Sequence, residues 1–281
     1  MILRLAIIAA ALSALADPAV ALEDWAAEGG DDSGVLGMSA AELDDYAATQ
    51  SEGPQADDEK PQAFVRGRRR FVMREFKFNS DWDTDPTSLP AMVEQFKRLT
   101  GMDAQAMQPR QPLTMDAAEL TDWPFVFMTA HNAFTLSEAD IVSLRTWLDR
   151  GGFLHADDCL YGFPFGSAFH GEMRKVFPEQ ELRPIPVEQP ELANLMRQKY
   201  AMSDNEVGLP KPLGTNPFEY MDVGGRMAVL YTPPDIGCFW EISTPPTPSN
   251  PLGGAMHSMT LEGRWAAYRM GVNIIFYAMT H

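Results

Sequence analysis

Hydrophobic positions along this chain change their period several times, and each change marks an element. From Arg70 to Phe78 the apolar residues Phe71, Met73, Phe76 and Phe78 alternate imperfectly with polar ones, as in a strand. Asn79-Ser80-Asp81-Trp82-Asp83 ends it. Thr87 or Ser88 then caps a helix whose Leu89, Met92, Val93, Phe96 and Leu99 share one face, and Gly101 stops it. Pro124 to Thr129 is short and apolar throughout, as expected of a parallel strand buried on both faces. Ser137 caps the next helix, Glu138 and Asp140 lie in its first turn, and Ile141, Leu144 and Leu148 form its inner face. Arg150 ends that helix, Gly151-Gly152 breaks it, and Phe153 to Asp157 is the following strand.

Strand, helix and strand with short links imply a right-handed crossover and a parallel sheet. Later signals are sparser. Ser167 to Phe177 reads as a helix stopped by Pro178, and Pro190 to Tyr200 as another. Arg226 to Thr232 reads as a strand after a Gly224-Gly225 turn. Thr244 to Gly254 is a Pro-, Ser- and Gly-rich loop with the composition of a lid, and Arg264 to Met279 an amphipathic helix.

Composition changes the picture mainly before this core. Arg4 and the apolar run Leu5 to Leu15, closing on Ala19-Val20-Ala21, have the form of a cleavable signal peptide over residues 1–21, with cleavage after Ala21. The run is shorter than the ~20 apolar residues a membrane-spanning helix needs, so no stable membrane insertion is expected after cleavage. A periplasmic or secreted protein follows. The net charge is −17, but residues 22–59 alone carry 12 acidic residues and no Lys or Arg. Residues 22–63 therefore read as a disordered acidic leader, and residues 64–281 as one α/β domain of ordinary size. The cluster Arg66, Arg68, Arg69 and Arg70 has the look of a nucleic-acid patch. Export and a net-acidic domain argue against a nucleic-acid partner.

In open parallel sheets, ligands bind beyond the carboxyl ends of the strands. Three polar segments occupy that position here: Asn79 to Asp83, Thr129-Ala130-His131-Asn132, and Asp157-Asp158-Cys159. His131 reads either as an acid, base or ligand, or as a polar residue satisfied by its loop. Asp157 and Asp158 point to opposite sides if the strand continues through them. Cys159 stands loosely where a nucleophile elbow would place it, with His131 as the available base. It also has two other readings, a disulfide with Cys238 and inert packing. Asn79, Asp81, Trp82, Asp83, Asn132, Asp157, Lys211 and Trp240 complete the candidate ligand-binding set. No Asp-x-Asp-x-Asp-Gly loop or His-Glu-x-x-His helix occurs, so neither metal nor cofactor is expected.

Asp81-Trp82-Asp83-Thr84-Asp85-Pro86, Ala130-His131, Gly151 through Cys159, Val176-Phe177-Pro178, Gly208-Leu209-Pro210-Lys211 and Arg269-Met270-Gly271-Val272-Asn273 together resemble domain-of-unknown-function family 4159. The strand–helix–Gly-Gly–strand section also resembles ThuA-like trehalose-utilisation proteins. These resemblances imply a flavodoxin-like, three-layer fold with a mainly parallel sheet, of the class I glutamine-amidotransferase type. Members of the unknown-function family are often attached to membrane-anchored multi-domain proteins, whereas this chain is expected to carry a cleavable signal peptide and no anchor. No Cys-His-Glu triad is visible in the sequence. Three functions are therefore expected in turn. The first is binding of a small polar or carbohydrate-like ligand, or of an envelope protein, at the rim. The second is hydrolysis by His131 with Asp157/Asp158 or Cys159. The third is envelope assembly without catalysis.

Overall fold

The computed structural model describes residues 70–106, 112–159, 164–185, 195, 199 and 218–281. The expected signal peptide, acidic leader, Arg66, Arg68 and Arg69 of the arginine cluster, Lys211, and nearly all of the helix expected at 190–200, lie outside the described residues. Strand β1 (Arg70–Lys77) is followed by helix α1 (Ser88–Thr100) and the short strands β2 (Asp103–Ala106) and β3 (Leu113–Thr114). Then come β4 (Phe125–Ala130), α2 (Glu138–Asp149), β5 (Phe153–Asp158), α3 (Pro164–Val176) and β6 (Arg183–Pro184). The hairpin of β7 (Glu219–Val223) and β8 (Arg226–Thr232) precedes α4 (Ile236–Trp240), β9 (Ile242–Thr244), β10 (Gly254–Ala255) and α5 (Leu261–Thr280).

The main sheet runs β2-β1-β4-β5-β8-β7-β6, with β3 pairing the carboxyl end of β1. Neighbours from β2 to β8 are parallel; β7 and β6 are added antiparallel. The mixed, mostly parallel sheet is flanked by helices in a three-layer α/β arrangement. Residues alternate between its faces. Phe125 and Phe127 join Met92, Phe96, Tyr268 and Ile275 in the core under α1 and α5. Val126 and Met128 join Leu144, Trp147, Phe169 and Met173 under α2 and α3.

Local chemistry explains the well-formed ends. Ser137 Oγ accepts from Asp140 N and the Asp140 carboxylate accepts from Ser137 N, a reciprocal cap that holds the start of α2. Gly152 packs flat beneath Trp147, where any Cβ would lie 2.2 Å from the indole. The Gly224-Gly225 turn has both residues at positive φ, which suits a tight two-residue hairpin.

Other ends differ from expectation. Thr87 stands at the N-cap of α1 without capping it, because its hydroxyl donates to Glu241 and accepts from Ile242 N. Helix α5 starts at Leu261 and is buried around most of its girth. Arg264 lies inside, donating to the carbonyls of Leu252 and Gly253. Those bonds, with Gln95 and Arg98 on Pro251 O, pin the Pro-rich loop to α1 and α5; it does not hang over the rim as a lid. Among the described residues, no helix is long and apolar enough to cross a membrane.

The β4–β5 register pairs Ala130 with Asp158, and the β5–β8 register pairs Asp157 with Thr232. The residues that follow, His131, Cys159 and Asp235, therefore gather at one end of the sheet. The β1 terminus brings Asp81 and Asp85 to the same end.

Candidate functional site

The rim holds a line of three side chains. His131 Nδ1 lies 2.8 Å from Asp81 Oδ2, and His131 Nε2 lies 3.2 Å from Cys159 Sγ. Asp81 is clamped further, accepting from Asn132 N at 3.0 Å and from Ser80 Oγ at 3.0 Å. Partial burial pushes the Asp81 carboxyl up, but the bonds from Asn132, His131 and Ser80 outweigh it and hold the pKa at about 2. The carboxylate is thus ionised and orients the imidazole. Both side chains are about a third exposed, 30% for His131 and 34% for Asp81.

Cys159, at the far end of this line, is 1% exposed. The Cys238 thiol pulls its pKa down, but burial and the carboxylates of Asp85 and Asp235 prevail, pushing it up to about 11. The resting group is therefore a thiol. Its backbone is not in the strained positive-φ conformation of a nucleophile elbow, since Asp235 is the sole described non-glycine residue at positive φ.

Behind Cys159 lies a cluster that motif reasoning missed. Asp85, Cys159, Asp235 and Cys238 each offer one atom within 4.8 Å of all the others, and all four residues are buried. The two sulfurs are 3.6 Å apart as free thiols. Both point at one oxygen, Asp85 Oδ1, at 3.5 Å from Cys159 and 3.7 Å from Cys238. Asp85 Oδ2 is buried with no hydrogen-bond partner. Burial, then the charge of Glu241, pushes the Asp85 carboxyl up to about 6. Asp235 takes a left-handed backbone, φ 59°, which lets its Oδ1 accept from Cys238 N at the start of α4.

Asp157 and Asp158 do face opposite sides of β5. Asp157 accepts from Ile236 N at 3.1 Å, from Gly237 N at 2.7 Å and from the Thr232 hydroxyl. It is fully buried and anchors α4, so it does not face the rim. Burial outweighs those bonds and raises its pKa to about 7. Asp158 accepts from Tyr231 Oη at 2.6 Å on the α3 side. Burial raises its carboxyl to about 6.

The other expected residues divide between rim and core. Asn79 exchanges two bonds with Thr135, its Nδ2 donating to Oγ1 and its Oδ1 accepting from the amide. Asn132 contributes its backbone, donating to Asp81 and accepting from Ser80, while its side chain is exposed. Asp83 is exposed, and Trp82 is half-buried under the Lys77 ammonium. Trp240 belongs to the core: it is 1% exposed, donates to Ala267 O and packs on Phe127. His155 is likewise a core residue, bonded to Thr232 and kept neutral by burial, which lowers its pKa to about 3. Beyond the carboxyl ends of β1 and β3, a cleft of about 310 Å³ is lined by Lys77, Asn79, Asp116, Thr135, Ser137 and Asp140 among others.

A family model described as a domain of unknown function, family 4159, matches residues 70–279, and the chain belongs to that family. No curated protein matches the chain.

Proposed function

We propose that this member of the family is an exported protein that binds a small polar ligand at the carboxyl-end rim of its sheet. Cleavage after Ala21 would release the mature chain to the periplasm or medium. Leaving aside the short β3 and the antiparallel β6 and β7, the order β2-β1-β4-β5-β8 follows the flavodoxin-like pattern 2-1-3-4-5, whose ligands sit at the switch point beside the first strand. The fold we assign is accordingly flavodoxin-like. The observation that carries the functional reading is the part-exposed contact of the ionised Asp81 carboxylate with His131, close in sequence to a polar cleft lined by Lys77 and Asn79. Lys77, Asp116 and Asp140 give that cleft both signs of charge and suit hydroxyl-rich or zwitterionic molecules.

The test is a thermal-stabilisation screen of the chain against sugars, nucleotides and short peptides, with chelator present. A binder raises the melting temperature by mass action. The expected result is a hit whose shift falls at least tenfold in apparent affinity in Lys77→Ala or Asn79→Ala. A screen without hits, or a hit that both variants leave intact, removes the reading.

The contact between His131 Nε2 and Cys159 Sγ favours a second reading, a thiol hydrolase. There Sγ would attack an acyl carbon, its proton passing to His131 Nε2 and then to the leaving group, with water releasing the acyl group afterwards. The buried, protonated thiol weighs against it. Stoichiometric labelling of Cys159 by an electrophilic acyl probe, lost in His131→Ala, is the result it requires.

A further inference from the structure

Two thiols and two carboxyl groups have been drawn together under the rim from four places in the chain. Asp85 comes from the β1–α1 loop, Cys159 from the end of β5, Asp235 from the turn after β8 and Cys238 from α4. As neutral packing this arrangement is poor. Thiols are weak donors, and two of them share one Asp85 oxygen while the other oxygen has no partner. An unpaired carboxylate oxygen in an apolar interior is costly, and buried charges are normally paired or bound to a metal. Asp157 adds to the difficulty. A Cβ on Gly237 would meet Asp157 Oδ2 at 2.7 Å and Asp85 Oδ2 at 3.1 Å, so two carboxyl oxygens converge over that glycine.

The spacings match a coordination shell. Zinc–sulfur bonds of about 2.3 Å and zinc–oxygen bonds of about 2.1 Å, set tetrahedrally, place sulfurs roughly 3.8 Å apart and sulfur roughly 3.6 Å from oxygen. The corresponding separations here are 3.6 Å between sulfurs and 3.5 and 3.7 Å to Asp85 Oδ1. Asp235 lies within 4.8 Å of the other three ligand atoms and supplies a fourth donor.

We propose that Asp85, Cys159, Asp235 and Cys238 bind a thiophilic divalent cation, with zinc the best match in size and softness. Thiolates select such ions over the magnesium or calcium that carboxylates alone would take. Binding forms two metal–sulfur bonds and displaces two thiol protons. His131 Nε2, 3.2 Å from Cys159 Sγ, can take one of them, and Asp81 balances the charge; the other leaves to solvent. Asp81 and His131 thus act on the ion from outside the ligand set, as positioning residues. A second group, Cys238 with Glu241 and His257, shares one cysteine but has a single thiol and an exposed histidine already bonded to Glu241.

The inference does not rest on the rim ligand, because metal content is read directly and the ligand screen is run in chelator. Coordination blunts and shields a thiolate, so stoichiometric acyl labelling of Cys159 with the metal still bound would overturn it. The experiment is metal analysis of the untagged chain by mass spectrometry, with cobalt substitution followed by absorption. About one zinc per chain and a thiolate-to-cobalt charge-transfer band are expected. Cys238→Ser and the near-isosteric Asp85→Asn should each weaken binding at least tenfold. His131→Ala should weaken it about 10- to 100-fold yet still fill at high zinc. Circular dichroism checks that each variant is folded. Should Cys238→Ser not fold, zinc protection of both thiols from alkylation in the unmodified chain gives the same answer. Absence of metal and of the cobalt band, a mass lower by two hydrogens showing a Cys159–Cys238 disulfide, or full binding by Asp85→Asn would each overturn the proposal.

Discussion

Asp157 and Asp158 are neighbours on one strand, both buried, and both lie against a glycine near the start of a helix. A Cβ on Gly237 of α4 would meet Asp157 Oδ2 at 2.7 Å, and one on Gly166 of α3 would meet Asp158 Oδ2 at the same distance. Their surroundings differ. Asp157 is held by two backbone amides of α4 and a threonine hydroxyl, and Asp85 beside it is met by two thiols. Asp158 is held by one phenol, with His170 close behind it, stacked edge-on against Tyr231. One face is short of donors and cations; the other has both. That contrast separates the face suited to a metal ion from the face that packing and hydrogen bonds already satisfy.

The largest expected effect tests this asymmetry. Asp157→Ala strands two buried amides, which at about 1–3 kcal/mol for each unsatisfied group predicts a loss of about 3 kcal/mol or more. Asp158→Ala strands one phenol and also removes a buried oxygen, Oδ1, that has no partner. Its loss should be about 1 kcal/mol. Urea unfolding in chelator measures both, and equal losses would erase the distinction. Asp157→Asn, which keeps one acceptor, should fall between them.

The glycines should break together. Gly237→Ala and Gly166→Ala each force a methyl against a carboxylate, and overpacking of this kind costs about 1–3 kcal/mol. Gly166 also faces Tyr231 Oη at 2.3 Å from the added carbon, so it should be the worse of the pair. Tyr231→Phe is smaller again: it removes the 2.6 Å bond to Asp158 and nothing else, an expected loss of about 1–1.5 kcal/mol in the same unfolding assay. A neutral result there would mean that Asp158 finds another donor.

Legibility in the sequence followed how local each signal was. Ser137 with Asp140, Gly101, Gly151-Gly152 and the Gly224-Gly225 turn act within a few residues of where they stand, and the elements they bound were visible from the pattern. The topology then sufficed to bring Asp81, His131 and Cys159 to one rim. Strand β7 was not read from the sequence, because Glu219–Val223 is short, mixes acidic with apolar residues, and its pairing is marked only by the later hairpin turn. Trp240 reads as a ligand aromatic because it stands beside a predicted loop, but α4 carries it inward onto Phe127. Asp85 and Asp235 were missed for a similar reason. Their nearest cluster partners outside their own loops are more than 70 residues away in sequence, so no spacing marks them. The surviving clue was the pair Asp235-x-x-Cys238, too common a spacing to single out.

The smallest effect carries a sign that only the Asp158 face can show. His170 Nε2 lies 2.6 Å from Glu219 Oε2, and its Nδ1 lies 2.7 Å from Gly166 O. Both neighbours are acceptors, so only the doubly protonated ring satisfies both. The Glu219 bond raises the His170 pKa above its ordinary 6.5, partly opposed by burial and by Arg174. A raised pKa means that the folded state holds the proton more tightly than the unfolded chain does. The stabilisation is therefore complete below pH 6.5 and is lost as pH rises through the folded value. The pair is partly exposed, so it should be worth only about 0.5–1 kcal/mol. Glu219→Gln should lose that amount at about pH 6 and little at about pH 9. Taking the difference between wild type and variant at each pH cancels most of the titration of Asp157, Asp158 and Asp85, which both chains share. A difference that grows with pH would mean that folding lowers the His170 pKa and would overturn the raised value.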